Sequence, residues 1–411
     1  EINCLDTKLL KKGEPMISVY EAQKKLVEES FPFGSETVGL MMSDGRVLAE
    51  DICATFPHPN FDQSAVDGYA CRFEDVSLKR GLKRIAEVPA GHTSSHMLKK
   101  GECMRIFTGG MVPLGADTVI MQEHVNTEAD LVFIQNDIVR KGDHIRYCGE
   151  QINAGDIALK AGHTLNSASI GLLSTLGVSE VNVQLKPTVC ILNTGDELIS
   201  IGTPLTDGKI YDSNGYMLQN VLTKAGIYAT KKTIQDRKDT LKNAITDAMN
   251  SNELILITGG VSVGDYDYTL PALEELGFTV LFHKVGQKPG KPLLFAKNGS
   301  KIAFGLPGNP RAVLMCYYQY VLPFIKCCMN AERPFPLQCK MPLTHAYTKK
   351  GSRLNFVMGT LNSDGVEILS GQGSHMLQSF AEGTCMVAIP EETTYLEKGD
   401  LVDVHLLSEY I

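Results

Sequence analysis

Two lysines flank a Pro-Gly pair in the segment Gly286-Gln-Lys-Pro-Gly-Lys-Pro292. Proline and glycine favour a tight turn, so the ammonium groups of Lys288 and Lys291 are expected to converge on one point. Two neighbouring ammonium groups attract an anion through charge-assisted hydrogen bonds. The chemistry predicted for this segment is therefore capture of an anionic ligand.

Acidic side chains are expected close to these lysines. Carboxylates follow each of three predicted strands, and they are Asp196, Glu197, Asp236, Asp265 and Asp267. Ligands of open α/β sheets bind beyond the carboxyl ends of the strands, so these carboxylates are expected to gather at one edge. Carboxylate oxygens are the ligands that hard cations such as Mg²⁺ prefer. The sequence therefore predicts a divalent cation at this edge.

The elements that position these groups alternate between strand and helix from Lys186 onward. Strands are predicted at 188–193, 227–234, 253–258, 278–285 and 301–305, and helices at 214–224, 238–249, 268–277 and from 311. Repeated strand-helix-strand units imply a mainly parallel sheet with both faces covered. The third strand ends at Gly259-Gly260, and Leu306-Pro-Gly-Asn-Pro310 precedes the last helix. Free N–H groups and the helix dipole at such a helix start favour an anion.

Three other parts of the chain have different sequence patterns and predict separate domains. Residues 53–154 consist of short β-leaning runs separated by glycines, which predicts a small inserted β domain. Residues 14–52 contain a capping-box helix and residues 155–186 a short capped helix, and we expect the two segments to form one elongated α+β domain. Residues 331–411 alternate β-like runs with turns, which predicts a C-terminal β-barrel domain. The expected fold class is a multidomain α/β protein whose doubly wound, mainly parallel central domain spans 187–330.

Composition narrows the class of protein. The chain has 411 residues, 43% hydrophobic and 21% charged, which is ordinary for a globular protein of several domains. A net charge of −8 and a pI near 5.7 favour neither nucleic acid nor an anionic membrane as a partner. Eleven cysteines without a C-x-x-C pair favour neither a disulfide framework nor a zinc site, so a reducing cytoplasm fits best. The longest apolar stretch, 312–329, is interrupted by Gln319, Pro323 and Lys326, which predicts a buried helix and no membrane span.

Six motifs, in order along the chain, resemble the molybdopterin molybdenumtransferase family, to which the gephyrin E domain belongs. They are Phe61-Asp-Gln-Ser-Ala-Val-Asp-Gly-Tyr-Ala70, Arg105-Ile-Phe-Thr-Gly-Gly110, Asn193-Thr-Gly-Asp-Glu-Leu198, Thr258-Gly-Gly-Val-Ser-Val-Gly-Asp-Tyr-Asp-Tyr-Thr269, Lys288-Pro-Gly-Lys-Pro292 and Gly305-Leu-Pro-Gly-Asn-Pro310. Six motifs in register are far more specific than one glycine loop.

The resemblance implies a transferase of molybdenum cofactor biosynthesis. Such an enzyme inserts molybdate into adenylylated molybdopterin and releases AMP with the help of Mg²⁺ or another divalent cation. It implies an elongated, four-domain homodimer in which the small β domain of one subunit faces the α/β site of its partner. Other proteins of cofactor biosynthesis are candidate partners.

Matching the motifs residue by residue assigns roles within this resemblance. Catalytic positions are Asp67, Thr108, Glu197, Asp236 and Asp267, of which the last three match metal ligands. Substrate- and anion-binding positions are Ser64, Gly195, Asp196, Gly259, Gly260, Ser262, Gly264, Lys288, Lys291, Pro307, Gly308, Asn309, Arg353 and Ser374.

The chain departs from the family pattern at four positions, which admits a slower or specialised enzyme. Gln151 stands in place of an acid, Ala312 of a serine, Met358 of a second arginine and Glu382 of an asparagine. Two alternatives are an adenylyltransferase-like enzyme, which would resemble only residues 186–326, and a gephyrin-like scaffold with reduced catalysis. A general nucleotide phosphotransferase is disfavoured because the chain has no Walker-type phosphate loop.

Overall fold

The computed structural model describes residues 16–77, 81–135, 139–261 and 268–407. A six-stranded sheet lies at the centre of the chain, with the strand order Ala229–Ile234, Val189–Thr194, Leu254–Thr258, Lys301–Leu306, Leu294–Asn298 and Thr279–His283. The first four strands are mutually parallel. The strand Leu294–Asn298 runs antiparallel to both of its neighbours. The predicted mainly parallel α/β fold is confirmed.

Both faces of this sheet are buried, which explains its nearly unbroken apolar strands. Successive side chains of a strand point to opposite faces. Ile191 and Leu256 pack on one face against α3, α6 and α7, which are helices Asn214–Lys224, Pro310–Cys316 and Leu322–Cys328. Cys190 and Ile255 pack on the other face against α4 and α5, which are helices Lys238–Ser251 and Thr269–Glu275.

The remaining helices are α1, α2 and α8, at Val19–Glu28, Ser167–Thr175 and Gln378–Glu382. The predicted capping box starts α1, where the Glu21 N–H donates to Ser18 Oγ and the Ser18 N–H donates to the Glu21 carboxylate. Asn166 caps α2 by accepting the Ser169 N–H. A π-helical segment, Tyr317–Val321, joins α6 to α7. Short 3₁₀ turns lie at Leu40–Met42, Phe73–Asp75 and Gln122–His124.

A second six-stranded sheet lies within residues 53–154. Its strand order is Thr118–Met121, Gly68–Cys71, Glu102–Ile106, Leu82–Val88, Leu131–Ile134 and Val125–Glu128. Two-stranded pairs surround it: Gln63–Ser64 with Ile145–Arg146, Ile52–Cys53 with Ile157–Leu159, and Ser35–Gly39 with Glu180–Gln184. The last two pairs join the segments before and after the insert. On these pairings we propose the four-domain division predicted from the sequence.

The C-terminal sheet takes in a strand from the central region. Its order is Gln287–Lys288, Leu354–Asn362, Cys385–Ile389, Leu401–Leu406 and Gln338–Pro342, and Gly365–Ile368 pairs beside Leu354–Asn362. Two further pairs are Leu198–Ile199 with Ile210–Tyr211 and Tyr347–Thr348 with Tyr395–Leu396. Lys288 lies opposite Asn355 in parallel register. The lysine turn is therefore anchored in the C-terminal sheet, so its backbone has a fixed position between the two units.

No helix within the described ranges has the length and apolar character needed to cross a bilayer. The described cysteines are all free thiols.

Candidate active site

A cavity of about 1080 Å³ opens between the carboxyl edge of the central sheet and the C-terminal sheet. Its wall brings together four predicted anion-binding side chains from three distant segments: Lys288, Lys291, Arg353 and Ser374. Pro307, Gly308, Asn309 and Glu197 also line it. Both predicted lysines therefore lie on the wall of one cavity, and Arg353, directly before a strand of the C-terminal sheet, adds a third cation.

The lysine turn is held from beneath by Gln287, which is fully buried. The Gln287 side chain donates to the Gly290 carbonyl at 3.0 Å and accepts a hydrogen bond from the Tyr320 hydroxyl. Its main-chain carbonyl accepts a hydrogen bond of 2.7 Å from Arg353 Nη1. Gly290 has φ +83°, and a Cβ atom there would lie 2.7 Å from the Cys316 sulfur. Glycine is therefore required, and the turn has little freedom to move.

The Leu306-Pro-Gly-Asn-Pro310 loop forms the next part of the wall. A Cβ atom on Gly308 would lie 3.9 Å from the Gly259 Cα, so the two predicted glycine loops are neighbours. The Asn214 side chain donates to the Gly308 carbonyl at 2.8 Å. The Asn309 side chain donates to the Ser374 hydroxyl at 3.0 Å. These contacts tie the loop to α3 on one side and to the C-terminal loop that carries Ser374 on the other.

Arg311 adds a buried positive charge that sequence reasoning missed. It lines the cavity and is 2% exposed. Its guanidinium donates to main-chain and side-chain oxygens of Gln372 and to the Phe356 carbonyl, and Nε has no hydrogen-bond partner among the described residues. Burial lowers its pKa to about 10, so it remains charged at neutral pH. No ion pair to a carboxylate forms there among the described residues, so its charge adds to the positive potential of the cavity.

The acidic edge is spread over three spaces: the central cavity, a smaller cavity and a narrow cleft. Glu197 lines the central cavity and also a smaller cavity of about 300 Å³ that contains Gly259. A Cβ atom at Gly195 would lie 2.7 Å from each Glu197 carboxylate oxygen, so a side chain at Gly195 would displace this carboxylate. The Asp236 N–H faces the Asp196 carboxylate at 3.4 Å. Asp236 lies in a separate narrow cleft with Gly260.

Three predicted site residues, Ser262, Gly264 and Asp267, lie outside the described residues, as does Asp265. Within the described ranges, no three carboxylate, histidine or cysteine side chains form a metal-binding group.

A buried polar network supports the smaller cavity and was not predicted. Asp212 is 3% exposed and forms an ion pair of 3.0 Å with Lys231. Its carboxylate also accepts hydrogen bonds of 2.8 Å from the Asn193 side chain and the Gly215 N–H. The available signal was the polar run Asp212-Ser-Asn214 directly before α3, which is typical of a helix start.

Three family models match successive parts of the chain. Residues 17–177 match the model of the MoeA N-terminal region (domain I and II), residues 190–327 a probable molybdopterin-binding domain, and residues 340–407 the MoeA C-terminal region (domain IV). The chain is 33% identical over 404 residues to a molybdopterin molybdenumtransferase of Haemophilus influenzae, covering 95% of this chain and all of that one. A Staphylococcus aureus protein of the same name is 35% identical over 400 residues, 95% of each chain.

The chain belongs to the molybdopterin molybdenumtransferase family. The family and the enzyme class predicted from the six motifs are confirmed. A crystal structure of the molybdopterin biosynthesis MoeA protein from Pyrococcus horikoshii superposes with a TM-score of 0.83 at 29% identity, covering 96% of this chain and 100% of that one. Matches on both sides of residues 190–327 disfavour the adenylyltransferase alternative, which explains only that central part.

A second group of family positions lies on the inserted sheet. Asp67 accepts hydrogen bonds of 2.8 Å from both the N–H and the hydroxyl of Thr108. The hydrogen bond from the Thr108 backbone is the main cause of a lowered Asp67 pKa, so this partly exposed carboxylate stays ionised. Neither residue lines the central cavity of its own chain. Ser64 is fully buried and its hydroxyl donates to the Val66 carbonyl, which fits support of this loop better than contact with substrate.

The four departures from the molybdenumtransferase pattern differ in their surroundings. Ala312 lines the cavity. Met358 is 1% exposed within the apolar core, so position 358 supplies no charge. Glu382 is exposed at the end of α8 and bonds to Gln378. The Gln151 N–H donates to the His58 carbonyl at 3.1 Å.

Proposed function

We propose that this chain inserts molybdate into adenylylated molybdopterin in the central cavity, giving molybdenum cofactor and AMP. The observation that carries the proposal is the convergence of Lys288, Lys291 and Arg353 with buried Arg311 on one cavity wall. Lys350 also lines the cavity, so five cationic side chains contribute to its wall. Such a wall favours a ligand with several negative charges, and both proposed substrates have this property.

The proposed oxyanion site is the lysine turn. Ammonium and guanidinium groups give short, charge-assisted hydrogen bonds to tetrahedral oxyanions. Gln287 fixes the backbone of the turn, so the turn loses little conformational entropy when a ligand binds. This preorganisation favours affinity. Lys288 is exposed and Lys291 is partly buried, so we assign Lys291 the larger share of the interaction.

The proposed pterin and phosphate site extends along Gly259, Gly308 and Asn309. Glycine loops at the carboxyl edge of a sheet let phosphate approach the backbone closely. The cavity, at about 1080 Å³, is at the upper end of ordinary ligand pockets. That volume supports a ligand larger than one oxyanion. Breaking the phosphate–phosphate linkage concentrates negative charge on phosphate oxygens, and the surrounding cations stabilise it.

The donor chemistry of the acidic edge fits a magnesium ion. Mg²⁺ commonly takes one or two carboxylates, several waters and substrate phosphates rather than a complete protein cage. Glu197 on the cavity wall and Asp236 in the next loop are described carboxylates of this kind, and we propose that they hold the ion together with Asp267. When bound, the ion would neutralise phosphate charge. The residues themselves orient the substrate and exclude other anions from this edge.

We propose that the enzyme is a homodimer with composite sites. Ile201, Leu205 and Ile210 are 57%, 59% and 55% exposed, and Ile210 lines the cavity. Exposed apolar side chains within one short segment support a protein interface. We propose that a second copy covers this segment and places its Asp67–Thr108 pair toward the cavity, which gives that pair a catalytic role across the interface.

We also propose that the protein functions in the cytoplasm, since thiols that remain free are typical of a reducing compartment.

The direct test of the proposed function is reconstitution from purified protein, adenylylated molybdopterin, molybdate and Mg²⁺. The expected result is coupled formation of AMP and molybdenum cofactor. A dimer that binds both substrates without releasing AMP would favour the scaffold alternative. Omitting molybdate should suppress cofactor formation, and omitting Mg²⁺ should suppress AMP release.

A further inference from the structure

A second cavity, of about 530 Å³, lies at the opposite end of the central unit. Its walls come from the N-terminal segment at Gly45 and Val47, from the end of α3, and from the helical run that contains Tyr317, Tyr318 and Lys326. It shares no lining residue with the central cavity. Helix α3 starts beside the carboxyl-edge cavities and ends here, and its 11 residues separate the two ends by about 16 Å.

Three lysines line this second cavity, and none of its lining residues within the described ranges is acidic. The Lys186 ammonium donates to the Ala225 carbonyl at 2.8 Å. Lys326 makes no ion pair or side-chain hydrogen bond within the described part of the chain, and burial lowers its pKa. The pKa of Lys186 is lowered for the same reason, with a smaller contribution from Arg46. Both lysines are partly buried, and partly buried cations without a carboxylate beside them favour an anion in the cavity.

Favourable interaction with helix dipoles does not explain why all three lysines line this cavity. Lys224 and Lys326 lie in the last turns of α3 and α7, where a cation favours the helix dipole. Lys186 precedes the strand Val189–Thr194 and lies on neither helix. A surface cation satisfies a dipole while remaining fully in water, whereas these partly buried lysines line a cavity of ligand size.

The rest of the cavity wall is apolar and aromatic, which favours a ligand with an apolar part. Tyr317 and Tyr318 are almost fully buried, with rings 5.2 Å apart in an edge-to-face arrangement. Val47, Ile227 and Met329 complete an apolar surface beside them. A small inorganic ion would leave this surface empty, whereas a flat organic body would cover it.

We propose that this cavity is a second ligand site, which binds a small organic anion whose aromatic or aliphatic body carries a carboxylate, phosphate or sulfonate group. Lys186 and Lys326 hold the anionic group, and the tyrosines pack against the body. Because the walls come from both the N-terminal segment and the central unit, the bound ligand connects the two. The site is independent of the proposed catalytic function.

The test measures binding by calorimetry on the full-length protein at pH 7.5 with three probes. 2-Naphthoate has the charge and the body, 2-naphthamide has the body alone, and acetate has the charge alone. The expected result is one 2-naphthoate per chain, bound at least tenfold more tightly than either of the other two probes. Equal affinity for 2-naphthoate and 2-naphthamide, or no binding of 2-naphthoate at millimolar concentration, would overturn the proposal.

Variants locate the binding. Lys186→Met and Lys326→Met should each weaken 2-naphthoate at least fivefold and leave 2-naphthamide unchanged, and Lys326→Arg should retain affinity because it keeps the charge. Lys24→Met, on an exposed lysine paired with Glu28, and Lys291→Ala, in the central cavity, serve as controls without effect. Loss of binding in Lys291→Ala would place the probe in the central cavity. Lower thermal stability of the Lys186 and Lys326 variants with unchanged probe affinity would reduce those lysines to a structural role. Either result would overturn the proposal.

Discussion

Arg311 and Gln372 connect the two units that form the central cavity. Arg311 lies in the first turn of α6, and its guanidinium donates to both the main-chain and the side-chain oxygen of Gln372. The Gln372 side chain also accepts the Met358 N–H at 3.0 Å and donates to the Met358 carbonyl at 2.9 Å. One buried cation therefore helps fix the C-terminal loop that carries Ser374.

Replacing Arg311 separates its charge from its hydrogen bonds. Arg311→Met removes both, so we expect the molybdate concentration for half-maximal turnover to rise about fivefold, or about 1 kcal/mol. The carbonyls of Gln372 and Phe356 also lose donors, which lowers the thermal midpoint because an unpaired buried acceptor costs about 1–3 kcal/mol. Arg311→Lys keeps the charge and should retain most of the molybdate affinity. A folded Arg311→Met enzyme with unchanged molybdate dependence would limit Arg311 to a structural role.

The acidic edge gives a second prediction. Asp236→Asn and Asp267→Asn should each abolish Mg²⁺-dependent AMP release, because an amide is a weaker ligand for a hard cation than a carboxylate. Circular dichroism and thermal unfolding should match the unmodified enzyme. Asp247→Asn is the matched control, since Asp247 is an exposed carboxylate on α4, 3.9 Å from Lys232. Normal AMP release by either site variant would remove that residue from the metal site.

Composite sites predict complementation between two inactive chains. An Asp67→Ala chain and an Asp267→Asn chain carry their defects on different domains, so one of the two sites in a mixed dimer contains no substitution. Co-expression, or unfolding and refolding together, should restore part of the activity that each variant lacks alone. Sedimentation measures the oligomeric state in parallel. An active monomer, or no recovery in proven mixed dimers, would contradict the composite site.

Buried His405 predicts a loss of stability in acid. Burial lowers its pKa from 6.5 to about 4, against a smaller opposing effect of Asp403, and its Nδ1 faces Gln319 Nε2 at 3.0 Å. The unfolded chain binds this proton below pH 6.5 and the folded chain only below about pH 4. The contribution of neutral His405 to the free energy of unfolding is therefore fully present above pH 6.5. As the pH is lowered from 6.5 to about 4, this contribution falls by up to about 1.4 kcal/mol per pH unit. Denaturant titrations at several pH values give the free energy of unfolding as a function of pH. For His405→Gln this free energy should fall less steeply between pH 6.5 and about pH 4 than for the unmodified protein. An equally steep fall would contradict the assignment.

The sequence predicts parallel strands well and long-range contacts poorly. Four apolar runs with helices between them imply a parallel sheet because few other arrangements bury both faces. The antiparallel strand Leu294–Asn298 was missed, although Asn298-Gly299 is a typical hairpin signal. Lysines spaced around a Pro-Gly turn can be recognised locally. The role of Arg311 cannot, because its partners Phe356 and Gln372 are 45 and 61 residues away.

Lys291 provides the most direct test of the account, because it lies on the cavity wall in a turn whose backbone Gln287 holds in place. Lys291→Ala should raise the molybdate concentration for half-maximal turnover about tenfold or more, the equivalent of about 1.4 kcal/mol or one charge-assisted contact. The dependence on adenylylated pterin should change less. Lys284→Ala is the control, since Lys284 lies two residues before the segment 286–292 and does not line the cavity. The decisive measurement is a titration of both substrates with each of these variants. We predict that only Lys291→Ala shifts the molybdate dependence and that its pterin dependence changes less. An unchanged molybdate dependence together with weakened pterin binding would contradict the oxyanion site.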